Sequence, residues 1–259
     1  MNRAAIVTGI ILVLFSLPFM LLDYAHFPYS DGAEHGAAVR ALAGNMFHPG
    51  DPMLELAGAA SPRYVPSIVI MALVMKAAGL EVMSVIILFL ILGLCFFLVS
   101  VALFSREYFQ DSGQGPWALV FLLFFWGLGW REANGYMFSS ILYTAYYPSV
   151  VAFSGAFLAL YFQLRFMRTG KRRTLTAAVA VGALAVTNHP LTGIFFLICS
   201  ALLYLEQEGL NKKTVVYFSL TAMAALCLTE LWPYYSFWDA FKTVAAGEMQ
   251  HTMDYTLTR

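Results

Sequence analysis

Residues 82–105 read "VMSVIILFLILGLCFFLVSVALFS" and carry no charge between Glu81 and Arg106. Wound as an α-helix at 1.5 Å per residue, the run would be about 36 Å long, enough to cross a hydrocarbon core about 30 Å thick. It has companions. Charge is also missing between Arg3 and Asp23, Asp111 and Arg131, Glu132 and Arg165, Arg173 and Glu206, and Lys213 and Glu230. Hydrophobic residues make up 60% of the chain and charged ones 12%, where a soluble domain carries roughly 25% charged residues. These runs predict an all-α polytopic helical membrane protein, with residues 1–259 as a single transmembrane domain.

The formal net charge is zero, so nothing argues for nucleic acid as a partner. Cys95, Cys199 and Cys227 each sit inside an apolar run and lack metal-type spacing, which reads as packing rather than as disulfides or a metal box. The opening "MNRAAIVTGIILVLFSLPFMLL" has an apolar stretch too long for a secretory signal, and no small-x-small cleavage site follows it. An uncleaved anchor is the expectation.

Seven spans are expected, at roughly 4–22, 82–104, 114–130, 147–166, 172–189, 191–208 and 214–232. The segment "TNHPLTG" carries Asn188, His189, Pro190 and Gly193, a breaker strong enough to divide residues 174–205 into two helices. That division puts the basic loops "RFMRTGKRR" and "EQEGLNKK" on one side. The excess of Lys and Arg in short loops then orients the chain with its N-terminus cytoplasmic. Most acids and all five histidines (His26, His35, His48, His189 and His251) fall on the outer side.

Residues 23–81 become a long first outer loop. Within it "RYVPSIVIMALVMKAAGL" is apolar but holds Arg63, Pro66 and Lys76. A helix half-sunk in the outer interface, with Lys76 snorkelling, keeps the basic loops on one side, whereas a further span would reverse them.

The same loop carries "SDGAEHG". On a helix beginning after Ser30 as N-cap, Asp31, Glu34 and His35 share a face through i+3 and i+4 spacing. Groups that can take a proton or bind a metal then point one way. Acids at a helix N-terminus are also favoured by the dipole alone. "HPGDP" (His48–Pro52) reads first as a turn. Arg63 suits a phosphate, of lipid or of substrate. "WREANGY" brings Arg131 and Glu132 to the second outer loop, and the tyrosines of "SSILYTAYYPS" fit an interfacial aromatic belt. His189 and Glu230 lie at the outer ends of spans, where a polar group near the membrane calls for a functional reading.

The arrangement resembles the GT-C class of membrane glycosyltransferases, which take sugars from polyprenyl-phosphate donors on the outer leaflet. The likeness rests on "DYAHFPYSDGAEHGAAVRALAGN", on "SPRYVPSIVIMALVMKAAGL" as the juxtamembrane helix, and on "YYPSVVAFSGAFLALYFQLRF", "NHPLTGIFF" and "ELWPYY". It implies that Asp31 is the first-loop acid, acting as general base or metal ligand, with Glu34 beside it and Glu132 in the place of a second-loop acid. It also implies that His35, Arg63, Arg131 and His189 bind substrate, the last three facing the leaving phosphate. A divalent metal would take Asp31 and His35 as ligands. The expected partners are the bilayer, a polyprenyl-phosphate-linked sugar and other membrane subunits. The chain is shorter than the family usually is, and "SDGAEH" stands where a paired acid is common. Those departures support the alternative of a non-catalytic GT-C-like subunit serving as scaffold in a larger complex. A transporter is the weaker third reading, because the charges gather on one face and do not line a path to the midplane.

Overall fold

The computed structural model describes residues 31–53, 61–111, 113–124 and 138–238. The predicted first span at 4–22, Ser30, the pair Arg131 and Glu132, and the polar tail from 239 onward lie outside the described residues. Among those described, every regular element is a helix. They are α1 (Gly32–Gly44), α2 (Pro66–Ala78), α3 (Val82–Phe109), α4 (Gln114–Phe124), α5 (Phe138–Thr144), α6 (Pro148–Thr169), α7 (Arg172–Asn188), α8 (Pro190–Glu208) and α9 (Lys212–Glu230).

Three helices are long and apolar enough to cross a membrane: α3, α6 and α8. Each is framed by local signals. Helix α6 starts on Pro148 and stops at Gly170 in the left-handed region, the Pro-in, Gly-out asymmetry of helix ends. Helix α8 starts on Pro190 and ends at Gly209. Helix α7 has 17 residues and opens on Arg172 and Arg173, so its apolar part is short of a full crossing. Of the predicted span at 114–130, only α4, an 11-residue helix, is described. Helix α2 has 13 residues, or about 20 Å at the α-helical rise, too short to cross. Its exposed side includes Ile70, Leu73 and Lys76.

The break at His189 is real: α7 and α8 are separate helices folded back on each other. Gly182 faces Phe196 and Gly193 faces Val186 across the seam, the pairing of an antiparallel hairpin turning at residue 189. Helix α6 packs on α7 and α3, and a buried polar clasp ties it to α8. Gln163 Nε2 donates to the Ser200 carbonyl at 3.0 Å, and Ser200 Oγ donates to Gln163 Oε1 at 2.7 Å.

This packing gives the molecule two poles. At one, the ends of α3, α6 and α8 meet the start of α9. Glu107 accepts from Arg168 at 3.0 Å and lies 3.7 Å from Arg165, Tyr108 donates to Glu206 at 2.7 Å, and Lys213 pairs with Glu208 at 3.6 Å. The basic loops therefore do share one end, as the division at His189 implies. At the opposite pole, α1 and the start of α2 lie beside the α5–α6 link and the α7–α8 turn. Gly36 on α1 meets Val82 and Ile86 of α3. Gly93 of α3 lies so close to the Ala145 carbonyl that any side chain there would overlap it. That contact seats the turn before Pro148 against the body of α3.

Candidate functional site

Helix α1 is built from small residues, with Ala38, Val39 and Leu42 fully buried, so it lies flush on its neighbours, with Asp31, Glu34 and His35 on one side and the exposed Arg40 on another. It begins at Gly32, with Asp31 in the N-cap position but making no side-chain cap bond. The carboxylate makes no cap bond, yet it stands at the end of the helix that the dipole favours for an acid. Asp31 lies within electrostatic reach of the phenols of Tyr146 and Tyr147.

Glu34, one turn on, accepts from Arg63 Nε at 3.0 Å. Both side chains are about a third exposed or less (32% for Arg63, 27% for Glu34), so the pair is neither a surface ornament nor a sealed ion pair. Arg63 is brought there by the tight link before α2, in which Tyr64 N–H donates to the Ser61 carbonyl at 3.1 Å. His35 turns inward against the α5–α6 link. Its ring meets Tyr147 edge-on at 4.8 Å between centroids and Tyr146 at 6.2 Å. Burial holds the imidazole down to a pKa of about 4, and the Arg63 guanidinium, with His189 when it too is protonated, pushes the same way.

His189 is the hinge between α7 and α8. Its Nδ1 accepts from the Thr192 N–H at 3.3 Å and lies 2.8 Å from Thr192 Oγ1. With Nδ1 capping α8, the assigned proton is on Nε2, which leaves a donor available. Asn188 does structural work: its Oδ1 accepts from Ser67 N–H at 2.9 Å and its Nδ2 donates to the Leu184 carbonyl. A free amide in the first turn of α2 is thereby satisfied, and that turn is pinned to the end of α7.

Asp31, Glu34, His35, Arg63 and His189 thus come from three separate segments to one pole. Arg131 and Glu132 lie outside the described residues. "HPGDP" is a turn: His48 N–H donates to Asn45 Oδ1 at 3.1 Å and Met53 N–H to Asp51 Oδ1 at 2.8 Å, so Asp51 shapes backbone. Glu230 accepts from Ser236 and the Trp238 N–H, closing the turn after α9. Among the described residues no three His, Cys, Asp or Glu side chains gather as a metal site.

Sequence reasoning missed how this pole is held. After α9 the chain crosses the pole as a strap. Trp232 Nε1 donates to the Tyr64 carbonyl at 2.7 Å, the Tyr234 hydroxyl to the Met46 carbonyl at 2.8 Å, and the Tyr235 hydroxyl to the Thr187 carbonyl. Tyr64 itself, fully buried, donates to the Gly50 carbonyl. The signal was present in "ELWPYY", three aromatic donors within four residues flanking a proline. Tyr146 and Tyr147, read as part of an interfacial belt, prove to be the floor beneath His35.

The chain matches no family model, no curated protein and no solved structure.

Proposed function

We propose that this is a multi-pass membrane glycosyltransferase of the GT-C type, with seven spans, a cytoplasmic N-terminus and a site on the outer face that moves a sugar from a polyprenyl-phosphate donor to an acceptor hydroxyl. The observation that carries the reading is the gathering of Asp31, the Glu34–Arg63 pair, His35 and His189 at the pole opposite the basic loops. The two-pole charge distribution supports the orientation, because short basic loops stay cytoplasmic. In the reaction the acceptor oxygen attacks the anomeric carbon as its proton passes to Asp31, and the bond to the phosphate breaks with its electron pair on the leaving phosphate. A carboxylate within hydrogen-bond reach serves as such a base. Arg63 and the Nε2–H of His189 offer positive charge and a donor to the departing phosphate. Arg131 and Glu132 would join from the second outer loop.

The scaffold reading has its own support: Arg63 is already paired with Glu34. Glycan and glycolipid profiling of cells carrying Asp31→Asn separates the two. A profile lacking one glycosylated product, with protein at normal level, supports the enzyme. A profile identical to wild type rejects Asp31 as the base. For orientation, Gly32 is buried and Gly170 has a positive φ, so cysteines belong instead at exposed Phe47 and Lys171. Phe47→Cys is expected to label from outside intact cells and Lys171→Cys only after permeabilisation.

A further inference from the structure

Helices α7, α8 and α9 run from pole to pole, and each is apolar over less length than a bilayer asks for. On α7 the uncharged stretch is residues 174–188, between Arg173 and the break at His189. On α8 it is residues 190–205, ended by Glu206, and on α9 it is residues 214–229, between Lys213 and Glu230. At 1.5 Å per residue each measures about 22–24 Å, against about 30 Å of hydrocarbon in an ordinary bilayer. Helix α3 differs, since its residues 82–105 give about 36 Å. We infer that α8, flanked by α7 and α9, presents a lipid-facing surface that pinches the bilayer beside it to about 23 Å, so that the partner of this face is the acyl layer of a locally thinned membrane. The inference rests on the membrane reading above and not on glycosyl transfer.

Both edges of the surface are marked by contacts. At the site pole, Asn188 at the end of α7 accepts from the Ser67 N–H at 2.9 Å. Helix α2, the expected interfacial helix, therefore lies against the tip of α7, and the outer interface falls at the level of residue 189. Glu230 is exposed at the same pole and accepts from the Trp238 N–H, which puts a charge at that end of α9. At the basic pole Arg172, Arg173, Glu206, Glu208, Lys212 and Lys213 are exposed. A lysine can snorkel away from the hydrocarbon, but the Lys213 ammonium lies 3.6 Å from Glu208, level with the end of α8. Tilting shortens the reach of a short helix, so tilt does not close the gap.

Between these edges the outward side of α8 is apolar from end to end. Leu191, Ile194, Ile198, Leu202 and Leu205 are all exposed, and their i+3 and i+4 spacing makes them one stripe. An apolar surface of that length is out of place in water. A short apolar face is accommodated by thinning of the bilayer or by association with another protein. Charge at both ends of the stripe favours the first, because each end then meets headgroups. The pinch also lowers the outer-leaflet phosphates to the level of the first turn of α2 and of His189, where the proposed reaction would take its lipid phosphate.

The test uses the purified full chain with Cys95, Cys199 and Cys227 replaced by alanine and single new cysteines carrying a nitroxide. The chain is placed in bilayers of dimyristoleoyl- or dioleoyl-phosphatidylcholine. Depth is read from collisions with oxygen against collisions with a water-soluble nickel chelate. Ile198→Cys, midway along the stripe, is expected about 12 Å below the headgroups in both lipids, half of the pinched thickness. Leu92→Cys, exposed on α3, is expected at about 15 Å in the dioleoyl bilayer and nearer the surface in the shorter lipid. Leu191→Cys and Leu205→Cys should read at headgroup level in both. An Ile198 label that follows chain length as Leu92 does overturns the pinch, and so do Leu191 and Leu205 labels deep in the dioleoyl hydrocarbon. Immobilised labels on α8 that oxygen does not reach mean that another protein covers the face, which overturns the lipid assignment. Free access of the chelate to every position rejects the membrane reading and this inference with it. Failure of the enzyme reading alone shows in the glycan profiles and leaves all of these depths as expected.

Discussion

Lowering the pH should destabilise this protein through His35 in a way that one substitution removes. The imidazole titrates near 6.5 when unfolded and near 4 when folded. Because the folded value is the lower one, the unfolded chain binds the extra proton first. Stability is therefore complete above pH 6.5, falls as the pH drops, and stops falling below about 4. The fall from 6.5 to about 4 corresponds to at most about 3.4 kcal/mol. The same linkage gives a loss of about 1.4 kcal/mol at pH 5.5 and about 2.6 kcal/mol at pH 4.5. Burial sets the sign, and the groups facing His35 reinforce it. Arg63 and His189 oppose its charging, Tyr146 and Tyr147 wall it off, and Glu34 is engaged with Arg63. Reversible denaturation in mixed micelles, followed by tryptophan fluorescence from pH 7.5 to 4.5, measures it. His35→Gln should match wild type at pH 7.5 within the cost of the substitution and lose the His35 part of the acid slope. Parallel curves for the two proteins across the whole range would refute the burial of a neutral His35.

Other outcomes follow from particular contacts. Gly93→Ala forces a methyl into the Ala145 carbonyl, and overpacking of this kind costs about 1–3 kcal/mol; a lowered melting temperature together with altered acid titration would show the α5–α6 link moving off His35. Trp232→Phe removes the donor to the Tyr64 carbonyl and should cost about 1 kcal/mol, with faster proteolysis between α1 and α2 as the readout. Gln163→Leu breaks the clasp with Ser200; hydrogen bonds between membrane helices average about 0.6 kcal/mol, so the single change should be mild, and a double-mutant cycle with Ser200→Ala should recover a coupling of that order.

Much of the helical order could be read directly, because it depends on local rules. The run after Glu81 is charge-free and becomes α3, Pro148 and Gly170 bound α6, and the Asn-His-Pro triplet separates α7 from α8. Seven spans could not be read with the same security from hydropathy. Helix α7 carries Arg172 and Arg173 in its first turn and is short, so charge-free length and helical length diverge there. In the site, i+3 and i+4 spacing was enough to set Asp31, Glu34 and His35 together. It could not reveal that Glu34 is matched by Arg63, 29 residues away, or that His35 rests on Tyr147. Those are long-range pairings, decided by how α1 lies across α3 and not by any property of α1 itself.

The same distinction explains the aromatic residues. A tyrosine in a membrane protein reads as an interfacial anchor because its apolar ring and polar tip suit that boundary. Here Tyr64, Trp232, Tyr234 and Tyr235 use their tips on backbone carbonyls of other segments. Those carbonyls lie at helix ends and in connections, where the ladder of helical bonds stops and an acceptor away from water must find another donor. The described connections at residues 45–53 and 61–65 are of this kind. Aromatic side chains of residues 232–234 satisfy carbonyls in them, and the polar cluster on α1 is held in place between them. Cutting the strap should therefore disturb the site before it unfolds α6, α7 and α8, whose contacts lie elsewhere. The order of events is measurable by hydrogen exchange: amides of residues 45–53 and 61–65 should lose protection in Trp232→Phe while those of α6 keep it. Simultaneous loss in both regions would mean that the strap supports the whole bundle and not the site pole alone.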